Sequence, residues 1–411
     1  MRIFPLRSIA SSKIIIQLDD SPRESFVSLL ENVYLTGRNI HYPNCLLFEN
    51  NTTLVSPYDE KVMSLKKESF YDNNIWEFDP IHTESVIEDP CFFFHYNVDN
   101  YYHFVYDSLP ILYFYFELKK TMPNLQLLLQ TSYPTNKSIP FFVKDLLLSL
   151  GIHSFEFGSQ NVLYKKLFVG SSLTHGGYSN EGPSPCASII WNSLKGSSAD
   201  PFPKRFYISR RSWIHGKTEN MGTNYTLRRR CMNEDAVVNL LRQYKIEEVF
   251  TELLTTSQKV KLFKEAELVV GVIGGGMCNL LFAPTNTKAL CIVTPCFLEI
   301  NERFKYSMNH TNILYSYSSS LELFEGKYSL YSRVTIKKTG IIGEVEGYNE
   351  KKVVVRVSRN DVAGFSQDFP YETNEFEEDE LEALDNGLNS PYCVNLTTLE
   401  EDLKRLSDTE Q

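Results

Sequence analysis

Two stretches of the chain alternate short apolar runs of strand character with runs of helical periodicity, and this alternation limits the possible folds more than any other sequence feature. In the first stretch the runs CFFF, NLQLLLQ and YKKLFVG are separated by helix-like segments such as FFVKDLLLSLG. This order is typical of an α/β layer with a parallel sheet. We therefore predict an α/β domain over residues 1–185, with shorter strand-like runs, KIIIQL and NCLLFE, in its first part.

A second α/β domain is predicted over residues 186–325. It follows a loop rich in Gly, Pro and Ser, THGGYSNEGPSPCAS, which reads as a crossing between domains. The strand-like runs KRFYISR, IEEVF, ELVVGVI and KALCIVTP then alternate with the helix-like runs NEDAVVNLLRQY and TSQKVKLFKEA. Ser257 is the expected N-cap of the second of these helices.

The last part of the chain has a different texture. Residues 328–370 include SRVTIKKTGIIGEVEGYNEKKVVVRVS, whose period of two and spaced glycines predict a small all-β module, similar to SH3 or KOW modules. Residues 371–411 carry thirteen acidic against two basic side chains, so their net charge of −11 accounts for all of the chain's −10 and the rest of the chain is near neutral. We expect this acidic tail to be a solvated segment with a short helix around EEDELEAL.

Three consecutive glycines, Gly274 to Gly276, separate the apolar runs VVGVI and MCNLLFAP. The triplet has two explanations. Glycine tolerates close backbone approach, so it could mark only a cramped turn. Alternatively, a glycine turn between a strand and a helix exposes amide groups that bind phosphate. Its position at the carboxyl end of a strand in an α/β sheet, where ligands bind, favours phosphate.

Two further groups of residues could carry chemistry. His103 and Asp107 in DNYYHFVYDSLP share one helical face, so the carboxylate could fix the imidazole tautomer and leave the other nitrogen as a proton acceptor. The alternative is a pair that merely holds a helix start in an aromatic core. Five arginines, at positions 210, 211 and 228–230, suit diphosphate binding, and we expect two of them to serve it.

Composition excludes several classes of protein. No apolar run approaches the roughly 20 residues needed to cross a bilayer, and no signal peptide is apparent at the start. The eight cysteines are scattered without a CxxC pair, which argues against a zinc site and for reduced thiols. We therefore expect no metal site and a cytoplasmic protein, with peripheral association at the inner membrane face as a further expectation.

Four motifs, in order, resemble those of glycosyltransferase family 61. They are NYYHFVYDSLP, RFYISRR with RRRCMNEDAVVNLL, TTSQKVKLFKEAELVVGVIGGGMCNLLFAPTNT, and IVTP. The resemblance implies a GT-B-like pair of Rossmann-like domains facing a cleft, an acceptor-side domain followed by one that holds a nucleotide-diphosphate sugar. It also implies an inverting transfer without a metal ion, and the sequence contains no Asp-x-Asp.

The resemblance also assigns residues to roles. On the donor side it implies Arg210, Arg229, Asn233, Glu234, Gln258, Gly271, Gly274 and Asn279, and Gly275 and Gly276 complete the same loop. On the acceptor side it implies Asn100, His103 and Asp107. We expect His103, oriented by Asp107, to be the catalytic base, and Glu181 in the predicted inter-domain loop, next to His175, to be the second candidate.

The resulting expectation is a metal-independent transferase that moves a sugar to a hydroxyl of a glycan acceptor in surface polysaccharide synthesis, with no cofactor besides its donor. The β module is expected to contact a protein rather than nucleic acid, because the adjoining acidic tail would repel phosphates.

One departure from the family keeps another class open. Ile273, Gly274 and Gly275 stand where the family usually has His-Gly-Ala, which leaves open a different type of donor or, as the alternative, a catalytically silent relative that binds a glycan or a nucleotide. A dinucleotide-dependent oxidoreductase is disfavoured because the glycine triplet follows a late strand and lacks the ribose-binding acid.

Overall fold

The protein is described here from a computed structural model. The structure describes residues 2–5, 13–20, 23–39, 43–49, 52–55, 84–94, 101–129, 139–158, 162–174, 182–199, 201–211, 229–295, 304–308, 312–321, 328, 332–358, 371–385 and 390–408. By its internal contacts the chain divides into two compact units, Met1–Lys195 and Gly196–Gln411.

The first unit is built on a mixed sheet. In the described residues its path is β1-β5-β4-β3-β10-β7-β8-β9, with β2 paired to β3 and β6 paired to β10. The strands are β1 Arg2–Pro5, β2 Lys13–Asp20, β3 Arg23–Asn39, β4 Pro43–Glu49, β5 Thr52–Val55, β6 Ser85–Ile87, β7 Cys91–Phe94, β8 Gln126–Leu129, β9 Glu156–Phe157 and β10 Val162–Gly170.

In the described residues, one side of this sheet has the parallel arrangement that the sequence predicts, and on the other side only β1 and β5 pair parallel. Strands β7, β8 and β9 run parallel, and β10 runs parallel to β6 and β7. Strands β2, β3 and β4 instead pair antiparallel in sequence order, because connections as short as the one between Asp20 and Arg23 allow only a hairpin. The first unit is thus an α/β half joined to an antiparallel half.

Helical segments of the first unit pack beside its parallel half. A continuous helical stretch begins with the turn Tyr101–His103 and ends with α1, Leu112–Lys119; α2 spans Phe141–Ser149 and α3 spans Pro185–Ser193. Trp191 of α3 is fully buried, and its indole Nε1 donates to the carbonyl of Val105 at 2.9 Å. Helix α3 therefore belongs to the first unit, although the predicted boundary places it after residue 185.

The second unit contains a five-stranded sheet in which every strand is parallel. Its order is β12-β11-β13-β14-β15, so the second strand along the chain lies outside the first. The strands are β11 Arg205–Ile208, β12 Glu247–Val249, β13 Leu268–Val272, β14 Lys288–Ile292 and β15 Asn312–Ser316. Strand order reverses between β11 and β13, and at such a switch point the carboxyl ends of the strands leave a crevice for ligands.

Two helices connect the first strands of this sheet. Helix α4 spans Glu234–Gln243 and α5 spans Thr256–Lys264. The prediction of Ser257 as the N-cap of α5 is wrong, because the N-cap is Thr255, whose hydroxyl accepts from the Gln258 amide. Gln258 returns the bond through Oε1, which accepts from the Thr255 amide at 2.9 Å. The pair forms a reciprocal capping box.

The predicted all-β module is an antiparallel sheet of order β20-β19-β18-β17-β21. The strands are β17 Arg333–Ile336, β18 Ile342–Asn349, β19 Lys352–Ser358, β20 Tyr371–Phe376 and β21 Leu381–Asp385. Its own core contains Val334, Val345, Val353 and Val355, all fully buried. The last two strands lie in the predicted acidic tail, and the stretch EEDELEAL forms a single turn and strand β21 instead of a helix.

The chain returns to the parallel domain after this module. Strand β22, Tyr392–Val394, pairs antiparallel with β16, Ser319–Leu321, which precedes the module. Helix α6, Leu396–Asp408, follows and buries three leucines in the core of the parallel sheet: Leu399, Leu403 and Leu406. The expectation of a solvated acidic tail is therefore wrong for the described residues. The module is an excursion from the parallel domain, while the domain boundaries at residues 186, 328 and 371 stay predictions.

Candidate functional site

The loop after β13 contains the glycine triplet, at the switch point of the parallel sheet. Gly271, still within β13, lies so close to its neighbours that a Cβ there would be 2.6 Å from Met277 Sδ. At Gly276 a Cβ would be 2.9 Å from Ile208 Cγ2 of β11. Ordinary Cβ contacts are longer than this, so a side chain at either position would have to displace Met277 or Ile208.

Gly274 has a different environment. Its φ is +158°, and a Cβ there would lie 3.4 Å from Nη1 of Arg210. Arg210 is the second residue after the end of β11, and the fold places its guanidinium beside the glycine loop. Gly275, the next residue, is partly exposed. In the described residues, no backbone carbonyl accepts a hydrogen bond from the amides of Gly274, Gly275 or Gly276. The loop thus combines unblocked amides with a nearby guanidinium, a combination that suits an anion.

Asn279 holds the shape of this loop. It is 1% exposed, and its Nδ2 donates to the carbonyl of Gly276 at 2.9 Å. Ile273, which replaces the family's usual histidine, is also buried, and its amide donates to the carbonyl of Ile292. Position 273 therefore contributes no polar side chain to the loop.

Glu234 binds the end of β11 through three hydrogen bonds. Its Oε1 accepts from the Tyr207 hydroxyl at 3.0 Å, the Ser209 hydroxyl at 2.9 Å and the Arg210 amide at 3.0 Å. Burial raises the pKa of the Glu234 carboxyl above its usual value, and the three hydrogen bonds only partly oppose that effect. Because Glu234 is 5% exposed, it acts on the site through the backbone of Arg210. Sequence reasoning missed Tyr207 and Ser209, although both lie in the motif FYIS.

Arg211 has a structural role that separates it from Arg210. Its Nε and Nη2 donate to the two carboxylate oxygens of Glu248 at 2.5 and 2.7 Å, and Nη1 contacts Asp235. Burial alone would raise the pKa of Glu248, but these bonds outweigh it and lower the pKa. A bidentate pair of this kind fixes Arg211 in the fold.

Arg229 and Asn233 belong to one short segment before α4. Arg229 has a φ of +54°, a left-handed conformation that is unfavourable for a side chain of its size. The Asn233 side chain is held by β22: its Nδ2 donates to the carbonyl of Val394 at 2.8 Å, and its Oδ1 accepts from the Val394 amide at 2.9 Å. The structure accounts for Gln258 through the capping box described above. Binding roles for these three residues stay predictions.

In the first unit, His103 and Asp107 form the predicted pair. The distance from His103 Nδ1 to Asp107 Oδ2 is 2.7 Å, and the two side chains are 22% and 14% exposed. Asp107 lies in a π-helical segment, Phe104–Ser108, that interrupts the helix directly after His103. Such segments occur frequently at functional sites. This geometry suits both a catalytic pair and a pair that only holds the helix start in an aromatic core. The assignment of His103 as a base therefore stays a prediction.

Several predicted residues lie outside the described part of the chain. They are Glu181, the second candidate base, together with Asn100, His175 and Arg228. Among the described residues, no three or more His, Cys, Asp or Glu side chains come together in a way that could hold a metal ion. The same residues include no helix both long and apolar enough to cross a membrane. The cysteines at positions 91, 186, 231, 278, 291 and 393 are free thiols.

A parallel α/β sheet with a glycine loop and an arginine at its switch point is typical of a nucleotide-binding domain. The comparison with known families narrows this class. The family model described as glycosyltransferase 61 matches residues 101–290, which confirms the resemblance to glycosyltransferase family 61 over this region. The match supports glycosyltransferase activity. The match includes His103, Arg210 and the glycine loop, and it ends before the β module and α6. A search of curated proteins finds no match.

Proposed function

We propose that the protein is an inverting, metal-independent glycosyltransferase that moves a sugar from a nucleotide-diphosphate sugar to a hydroxyl of a glycan acceptor. The observation that carries the proposal is the position of the Arg210 guanidinium beside Gly274 of the glycine loop, at the switch point of a parallel sheet within the family region. The donor's diphosphate is the anion that this arrangement fits.

The reaction is a single displacement. The acceptor oxygen bonds to the anomeric carbon, the bond from that carbon to the diphosphate oxygen breaks, and the hydroxyl proton passes to a base. Negative charge develops on the leaving diphosphate, and preorganised positive groups stabilise it. Arg210 and the amides of the glycine loop supply that stabilisation in the proposal, with Arg229 as the second arginine. Glu234 keeps the backbone of Arg210 in position.

His103 is the proposed base. When Nδ1 of the ring donates to Asp107, the other ring nitrogen is left as an acceptor for the hydroxyl proton. His103→Ala should lower kcat by about 10²–10⁴ while donor affinity stays nearly unchanged. Asp107→Asn should have a smaller effect because it only loosens the orientation of the ring. A folded His103→Ala protein with normal kcat would move the base elsewhere, and Glu181 would be tested next.

Acceptor, location and partners remain part of the proposal. We propose a glycan acceptor in surface polysaccharide synthesis, a cytoplasmic protein that associates peripherally with the inner membrane face, and a protein partner for the β module. The family match supports the transferase activity from which these suggestions start.

The decisive experiment is a screen of nucleotide-diphosphate sugars with the full-length protein. We expect release of nucleoside diphosphate with one donor, product of inverted anomeric configuration by NMR, and unchanged turnover in EDTA. Activity that disappears with EDTA and returns with Mn²⁺ would contradict metal independence. Donor binding without release or transfer would favour the silent relative instead.

A further inference from the structure

The strand β22 begins 102 residues beyond the end of the family match but contacts the arginine segment of the matched region. The amide of Tyr392 donates to the carbonyl of Arg230 at 3.0 Å, and the amide of Met232 donates to the carbonyl of Tyr392 at 2.8 Å. Cys231 and Tyr392 form a parallel bridge at this point. Residues 230–232 are thereby added to β22 as a short piece of sheet.

The Asn233 side chain extends the same pairing by one step. Its amide group both donates to and accepts from the backbone of Val394, as another residue of a strand would. In the described residues its two polar atoms are engaged with β22 and with the nearby thiol of Cys231. This arrangement explains an asparagine at position 233 without a ligand, because a side-chain amide offers a donor and an acceptor on two separate atoms, as a backbone partner would.

The contact with β22 bears directly on the two arginines of the proposed donor site. Arg229, in its left-handed conformation, immediately precedes the carbonyl that Tyr392 holds. A residue in such a conformation persists only where its surroundings determine it. Glu234, which fixes the backbone of Arg210, immediately follows Asn233. β22 therefore binds the residue next to Arg229 and the residue next to Glu234. Through these two contacts it bears on both arginines.

Tyr392 itself is fully buried beneath this segment. Burial raises the pKa of its hydroxyl well above the usual value, and the nearby Cys231 adds to that effect, while the charges of Arg210 and Arg229 oppose it. The Tyr392 hydroxyl therefore lies within range of the electrostatic effect of both arginines. Since it is 0% exposed, Tyr392 acts on them through packing and not by contact with a ligand.

We infer that β22 is a positioning element of the donor site and that Asn233 serves that site by binding β22 instead of the nucleotide. The inference rests on the proposed function, because the site it positions is the proposed diphosphate site. It extends that site beyond the family region, to a strand that the chain reaches only after the β module.

The test compares full-length variants that weaken the C-terminal segment at different places. Asn233→Ala removes both bonds to Val394, and Asn233→Asp removes only the donor. The matched control is Tyr244→Phe, which removes a 2.7 Å bond from the Tyr244 hydroxyl to Glu400 of α6, away from the arginines. Two quantities are measured: the affinity for UDP, GDP, ADP, CDP and dTDP by calorimetry, and hydrogen exchange of the unliganded protein over residues 229–234.

The inference predicts a coupled result. Both Asn233 variants should weaken binding, Asn233→Ala by about tenfold, the effect of losing one to two ordinary hydrogen bonds. Exchange over residues 229–234 should rise in the same variants by about fivefold or more. Tyr244→Phe should leave both quantities within about twofold of the wild type, because its effect is confined to α6.

Two outcomes would overturn the inference. Weaker binding with unchanged exchange would mean that Asn233 contacts the nucleotide directly. Equal effects of the Asn233 variants and Tyr244→Phe would mean that β22 contributes only general stability. A wild-type protein that binds none of the five nucleotides would instead refute the proposed function. Raised hydrogen exchange over residues 229–234 in the Asn233 variants would still show that β22 stabilises this segment.

Discussion

Replacing two leucines of α6 should destabilise the second unit, although no residue of the region matched by the family model is changed. Leu399 is 0% exposed and Leu403 is 2% exposed, and both belong to the core cluster that contains Val270 and Leu290 of the parallel sheet. The perturbation is the double substitution Leu399→Ala/Leu403→Ala. Thr397→Ala, an exposed position on the same helix, is the matched control.

The magnitude follows from burial. A fully buried Leu→Ala change costs about 2–5 kcal/mol through lost transfer energy and the cavity left behind. The double change should cost roughly 4–8 kcal/mol, somewhat less than twice the single value because the two sites are neighbours and share a cavity. That is a large part of the roughly 5–15 kcal/mol that stabilises a typical domain.

Differential scanning calorimetry gives the result directly. At roughly 2–4 °C per kcal/mol for a unit of this size, the transition of the second unit should fall by about 10–30 °C. Thr397→Ala should shift it by about 2 °C or less, since exposed substitutions seldom exceed 0.5 kcal/mol. A double variant that melts like the wild type would refute the packing of α6 on the sheet, and with it the correction of the predicted solvated tail.

Three further outcomes are expected. Replacing residues 323–390 by a short Asn-Gly turn should preserve nucleotide binding, because Leu321 and Tyr392 are cross-strand partners; loss of both binding and folding would show that the β module completes the domain. Gly274→Val should weaken nucleoside diphosphate binding in calorimetry by about tenfold or more while the protein stays folded; normal binding would mean that the loop is only a cramped turn. The raised pKa of Glu234 destabilises the folded state as pH rises above about 4.5. The stability of Glu234→Gln relative to the wild type, measured by urea unfolding, should therefore increase as the pH rises above about 4.5, and a difference independent of pH would contradict this.

Much of the fold could be predicted because strand and helix patterns are local. The runs at residues 205–208, 268–272 and 288–292 are apolar and short, and each is followed by a turn or by helical periodicity, so parallel strands were the natural prediction. The glycine triplet and Arg210 could be placed at one edge of a sheet for the same reason. Both follow strands, and the carboxyl ends of parallel strands meet at one edge.

The prediction of a solvated acidic tail is wrong because the net charge of a segment describes only its exposed faces. In LTTLEEDLKRL the leucines at 396, 399, 403 and 406 are spaced three and four apart, which places them on one face of a helix. That spacing was the signal that could have found α6. The antiparallel half of the first unit was not predicted because the sequence of a strand does not show whether it runs parallel or antiparallel to its neighbour. Only the length of the connection between two strands shows that.

The role of Asn233 could not be found from its local sequence. Its partner, Val394, lies 161 residues further along the chain, and nothing in RRRCMNEDAV indicates that a later strand will add to this segment. The position of Glu234 is similar: its three donors come from the end of β11, across the part of the chain between residues 211 and 229. Local motifs identify such residues but do not say what they bind.

Binding of a nucleoside diphosphate to the wild type, Arg210→Ala and Arg230→Ala tests the central claim most directly. Arg230 is the exposed neighbour of the second candidate arginine, so its substitution controls for the loss of one positive charge. We expect calorimetry to give Arg210→Ala an affinity about 10- to 150-fold below that of the wild type, the loss of a charge-assisted hydrogen bond of about 1.5–3 kcal/mol, and Arg230→Ala an affinity within about twofold. Equal affinity in all three proteins would contradict the assignment of the glycine loop and Arg210 as the diphosphate site.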